Sequence, residues 1–385
     1  MLLYALTTLA LLPIMALAET FTIPNVLYND SVKAEATSIK NHIDWAKLLP
    51  GASNDTTYDW WYFDVVSHDA KSSATVVFYN SGPHGFINDY LDGPLSASIV
   101  GVLPNGTIWG TSAPVTAEEE AIISRPDDDD YSHSSSTFAT SGVYPGSGFS
   151  WNGTSLAKGK VRYVVTIDRP DLGVTGTIVL DSVAPAHYPC GPNAPDQTER
   201  LFPNVFWSNA VPDAVGVVDL VVNGTFVKFE GAGYHDKNWG DAPFVTTTST
   251  WYWGHASLGP YSIVWFDAFD QTGKEYFSGY VAKDGKVLLG SCEKGVVVAR
   301  PWGENGEFPP RIGSGVPQGM EVTFDLGRGR TFWANVTTTN VVIDGGVYQR
   351  TLGTVEGGLR EKECRKGGGE RYDGASLFEE FKFTP

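Results

Sequence analysis

The 385-residue chain is poor in cysteine and methionine, with three of each, and in histidine, with seven. Three cysteines cannot build a disulfide framework, so a hydrophobic core must hold a chain of this length. They allow one bridge and one free thiol. Cys292 and Cys364, both in the C-terminal part, are the expected pair, closing a long loop in an oxidising compartment. The scattered histidines and cysteines give no metal-ligand spacing, so no metal is expected. Basic residues are scarce as well: 27 Lys and Arg face 44 Asp and Glu, for a net charge of −17. Nucleic acid and anionic membrane surfaces both call for a basic footprint, and neither is an expected partner. Beyond residue 18 no apolar run approaches the ~20 residues of a membrane-spanning helix, so stable membrane insertion is not expected. Amphipathic helical stripes are nearly missing; Ala34–Leu49 and Leu377–Phe383 alone read as helix. Also absent are the nucleophile elbow Gly-x-Ser-x-Gly, a phosphate loop, His-Glu-x-x-His and a helix-opening Gly-x-Gly-x-x-Gly. Any chemistry is therefore expected to proceed without a cofactor.

What is present begins with an apolar leader. Residues 1–18 carry no charged side chain and end in Ala16-Leu17-Ala18, a small-x-small cleavage pattern, although a basic n-region is missing. They read as a signal peptide, which directs the chain to the secretory pathway or the extracellular space. Six Asn-x-Ser/Thr sequons agree with that route, at Asn29, Asn54, Asn105, Asn152, Asn223 and Asn335.

The body of the chain alternates Val, Thr, Tyr, Phe and Trp with polar residues in short runs, broken by 43 Gly and 23 Pro. Period-two alternation between turn residues is the strand signal, so the fold class is all-β. Length calls for two domains, an N-terminal one over 19–245 and a C-terminal one over 246–385. The proline-rich stretch Ala184–Pro212 reads as an irregular excursion inside the first sheet. The run Asp127–Asp130 with the serines after it reads as a solvated loop, because it lacks the ligand spacing of a calcium site.

Chemistry concentrates in aromatic–acid segments. Tyr58-Asp-Trp-Trp-Tyr-Phe-Asp64 and Gly233-Tyr-His-Asp-Lys-Asn-Trp-Gly240 each set bulky rings beside carboxylates, and Trp251-Tyr-Trp-Gly-His255 follows. Rings are costly to expose and unpaired carboxylates costly to bury, so a shared cavity with a hydrophobic guest suits them. On a strand, Trp60, Tyr62 and Asp64 share one face while Trp61, Phe63 and Val65 share the other. Tyr234, Asp236 and Asn238 oppose His235, Lys237 and Trp239, and Trp251, Trp253 and His255 lie together. Each residue also has a plainer reading. A lone strand Asp can cap a turn, Asp236 can belong to a structural network, and a lone His or Trp is more often core.

These two blocks resemble the signature blocks of the hydroxyneurosporene synthase (carotenoid 1,2-hydratase)-like family, whose fungal members include lipocalin-like Diels–Alderases. The resemblance implies two lipocalin-like antiparallel β-sandwich or barrel domains, with a pocket in or between them. It further implies the secreted hetero-Diels–Alder branch of tropolone sesquiterpenoid biosynthesis, with a polyketide-derived ortho-quinone methide and a terpene alkene as hydrophobic small-molecule substrates. On that reading Trp60, Tyr62, Trp251 and Trp253 form walls, with Asn238 and His255 as further substrate contacts. Tyr234, His235 or Asn238 would polarise a carbonyl, and Asp64 or Asp236 would serve as acid or base. A hydratase would need one of those aspartates kept neutral in an apolar pocket. A lipocalin-type carrier would return its guest unchanged.

Overall fold

The computed structural model describes residues 19–40, 42–87, 90–125, 140–154, 160–361 and 369–384. The leader, Asp127–Asp130 with its serines, and Cys364 lie outside the described residues. Nearly all regular structure is antiparallel β, in curled lipocalin-like sheets. Ten strands position the site. Six belong to the first large sheet: β1 (Tyr58–Ser67), β2 (Ser73–Ser81), β3 (Leu95–Val102), β4 (Ile108–Pro114), β5 (Val205–Val222) and β6 (Thr225–Gly240). Four belong to the second: β7 (Thr248–Leu258), β8 (Arg330–Asp344), β9 (Tyr348–Glu361) and β10 (Tyr372–Lys382). The first sheet runs β5-β6-β1-β2-β3-β4 at one end, and the second runs β7-β10-β9-β8 through its middle. Ala299 N–H donates to Asp267 Oδ2 at 3.0 Å, joining two strands that are not neighbours in the second sheet and marking its curl.

Alternation along β1 explains how one strand serves two environments. Trp61, Phe63 and Val65 enter the core enclosed by the first sheet, beside Trp151 and Tyr163. Tyr58, Trp60 and Tyr62 instead join Tyr234, Trp251 and Trp253 in a separate apolar cluster where the two sheets meet. A third cluster, including Trp265 and Phe332, fills the second sheet. Burying each such ring removes 150–250 Å² from water, so three clusters rather than one hold the chain together.

Both expected helices are replaced. Leu377–Phe383 falls largely in β10, whose Leu377 and Phe381 face the junction while Phe378 faces the interior of the second sheet. Burial on both sides blurs the period-two pattern and mimics a helical stripe. Among its described residues, Ala34–Leu49 holds the end of one two-residue strand, Lys33–Ala34, its partner Leu48–Leu49, and an isolated bridge from Thr37 to Thr198. The proline-rich excursion ends earlier than expected, because β5 starts at Val205 and carries Pro212 at a bulge, where a missing N–H costs no ladder bond.

The disulfide differs from expectation too. Cys292 bonds Cys190, not Cys364. The physical reason is that the excursion lies against the second sheet. Ser278 Oγ donates to Pro189 O at 2.7 Å and Tyr280 Oη to Pro185 O at 3.0 Å, while His187 stacks on Tyr280 at 4.1 Å.

Candidate active site

A cavity of about 270 Å³ opens at the junction of the two sheets. Trp60 and Tyr62 of β1, Asp236 and Asn238 of β6, and Trp251 and Trp253 of β7 all line it. Register brings the first four together, since Trp60 pairs with Asn238 and Tyr62 with Asp236 across β1 and β6. Trp253 meets Tyr62 and Tyr234 edge-on at 5.4 and 5.2 Å, and Trp251 meets Phe381 at 5.2 Å. Edge-to-face geometry of this kind fixes ring positions and leaves a shaped apolar space.

Asp236 is the chemical centre of that space. Its Oδ2 accepts hydrogen bonds from Trp207 Nε1 and Tyr234 Oη, both at 2.8 Å. Burial pushes its carboxyl up to about 8, opposed by those two donors and assisted by Glu379 and Asp64. Desolvation wins because two neutral donors cannot replace the hydration of a carboxylate. The group is therefore a neutral acid at pH 7. With both donors on Oδ2, its proton belongs on Oδ1. Tyr234, buried beside Asp236, has its own hydroxyl pushed well above the ordinary value and stays a donor.

The remaining predicted residues lie behind the wall. Asp64 meets His255, whose Nε2 is 3.1 Å from each carboxylate oxygen, and this pair joins the two sheets. His255 in turn stacks on Tyr234 at 4.4 Å, so the pair braces the tyrosine that holds Asp236. His235 points the other way. It stacks on Phe63 at 3.8 Å, and its ring nitrogens meet Tyr62 O at 2.9 Å and Asp44 Oδ1 at 3.0 Å, inside the first core. Lys237 is equally interior, paired with Asp59 over the face of Trp61. Of the sequons, Asn29, Asn105 and Asn223 are exposed, whereas Asn54, Asn152 and Asn335 are half-buried.

The opposite wall was not foreseen. Arg350 of β9 and Glu379 of β10 form a buried pair, Nε to Oε1 at 2.8 Å, and Tyr348 Oη donates to the same oxygen at 2.7 Å. Both charged groups line the cavity, and the terminal nitrogens of Arg350 have no acceptor among the described residues. The run Phe378-Glu-Glu-Phe381 repeats the aromatic–acid signature and could have been read; nothing local marks Arg350.

A family model described as Diels-Alderase-like matches residues 20–297, and the chain belongs to that family. Among curated relatives, the quinolone epoxide rearrangement protein penF of Penicillium thymicola is 40% identical over 361 residues, covering 94% of each chain. The quinolone epoxide rearrangement protein asqO of Emericella nidulans is 38% identical, over 94% of this chain and 92% of its own. The Diels-Alderase ucsH of an Acremonium species is 26% identical over 62% of this chain and 56% of its own. Among solved structures, CghA in complex with Sch210972 superposes with a TM-score of 0.70 at 16% identity, covering 95% of this chain and 99% of the other. That likeness concerns the fold.

Proposed function

We propose that this protein is a cofactor-independent isomerase that rearranges an epoxide borne by a quinolone-type guest through acid catalysis by Asp236. The observation that carries the reading is a carboxyl that stays protonated to about pH 8 on the wall of an aromatic cavity. Support comes from two relatives, 38% and 40% identical over nearly the whole chain, that are named for that reaction. Asp236 Oδ1–H gives its proton to the epoxide oxygen as the C–O bond breaks, and the bonding pair leaves with oxygen. Positive charge grows on carbon, where ring faces such as those of Trp60 and Trp253 stabilise it. An internal nucleophile closes on that carbon and returns its proton to Asp236. In between, the carboxylate rests on the hydrogen bonds from Tyr234 and Trp207. Atoms and charge balance without a redox partner.

A second reading is a [4+2] cycloaddition, such as the coupling of an ortho-quinone methide to a terpene alkene. The family and its Diels-Alderase relatives favour it. Asp236 would then donate to the diene carbonyl, and the rings would hold two π systems face to face, a gain of up to ~7–11 kcal/mol from orientation. Chiral chromatography with mass detection separates the readings. A new isomer of unchanged mass from a quinolone epoxide supports rearrangement. An adduct of two partners less one water supports cycloaddition and sinks the first reading, and unchanged guest indicates a carrier.

A further inference from the structure

We propose that the hydroxyls of Ser96, Ser98 and Ser112 form a recognition subsite for an uncharged amide edge of the guest, at the far end of the cavity from Asp236. This rests on the acid-catalysed reading for the guest class, and names how that guest is held.

Strand register carries the argument. Asp236 pairs with Tyr62, Tyr62 with Val77, Val77 with Ser98, and Ser98 with Ser112. These five residues form one rank across β6, β1, β2, β3 and β4, and all line the cavity. Adjacent strands lie about 4.8 Å apart, so Ser98 stands three steps, roughly 14 Å along the sheet, from the acid. The neighbouring rank, Asn238–Trp60–Tyr79–Ser96, places a second hydroxyl beside the first. Tyr62 and Val77 between them give an apolar floor.

The hydroxyls themselves are unspent. None of the three serines makes a side-chain hydrogen bond to a described residue; Ser96 is buried, at 4% exposed, Ser98 is half-buried and Ser112 is exposed. Thr75 Oγ1, on the same wall, is buried without a partner. Buried polar side chains are ordinarily satisfied, so Ser96 and Thr75 on one cavity wall await an occupant, and the half-buried Ser98 and exposed Ser112 continue that row toward solvent. No charged side chain stands at that end of these two ranks, which disfavours a carboxylate or phosphate. A hydroxyl both donates and accepts, and a secondary amide offers N–H and C=O side by side. A bicyclic lactam there, with its apolar arm over Tyr62 and Val77, brings an epoxide on the arm to Asp236.

The test uses the mature protein and two inert probes, 2-quinolone and naphthalene, with binding read by quenching of tryptophan fluorescence. The double variant Ser98→Ala, Ser112→Ala should bind 2-quinolone about five- to tenfold more weakly, as expected for one or two hydrogen bonds. Its affinity for naphthalene should not change. Equal weakening for both probes, unaltered 2-quinolone affinity, or failure of the parent to bind 2-quinolone would overturn the proposal. Because neither probe reacts, a failed acid mechanism shows in turnover alone and a failed subsite in affinity alone.

Discussion

Replacing Asp236 by Asn tests the acid and its environment together. Asn keeps an oxygen to accept from Trp207 and Tyr234, so the local network survives. What disappears is the proton. With the carboxyl pushed up to about 8, most molecules hold that proton at pH 7. The parent should therefore show an alkaline limb in kcat/KM near pH 8, and the variant should lose about 10²–10⁴-fold in rate. Stability moves in the opposite sense. The folded carboxyl sits about four units above its ordinary value of 3.8, so between about pH 4 and pH 8 the native state binds more protons than the unfolded one. Stability from this group is intact below pH 4 and is lost as pH rises through about 8, by of order 5 kcal/mol in all. Asp236→Asn removes that slope and should gain on the parent, by a few kcal/mol, between pH 5 and pH 9. Urea unfolding across that range, beside a pH–rate profile, reads both effects. An active variant, or a stability difference that ignores pH, refutes the neutral buried acid.

His235→Ala should cost about 3–5 kcal/mol in urea unfolding, because it opens a gap against Phe63 and leaves Asp44 with one donor fewer. The alkaline limb should stay near pH 8; a shifted limb with unchanged stability would place His235 in the chemistry instead. Cys190→Ser and Cys292→Ser should each cost about 2–4 kcal/mol. Peptide mapping without reductant checks the pairing directly.

Strand alternation made much of the first wall readable. Opposed faces of Trp60 and Trp61, and of Asp236 and Lys237, follow from period two alone. The same alternation set His235 opposite Asp236, yet its residue type kept it among the expected catalysts. Which strands become neighbours is a different matter. β9 and β10 meet β1 across more than 280 residues, as in the Tyr62–Glu379 contact at 3.4 Å, and no local pattern encodes that approach. Arg350 was missed for this reason, whereas Glu379 sits in an aromatic–acid run that only its reading as a helix obscured. The serines were missed because small polar residues on a strand look like a solvated face. Cys190 hid within the proline-rich run, whose docking on the second sheet is a purely tertiary event.

The covalent link between Cys190 and Cys292 makes residues 190–292 a ring that includes the whole passage from the first sheet to the second. A protease that cuts at the exposed Val245 therefore opens the ring without parting the molecule. The nicked chain stays one covalent particle, each half held at the high local concentration of an intramolecular partner. A cut at Val245 thus leaves the two walls of the cavity joined through Cys190 and Cys292.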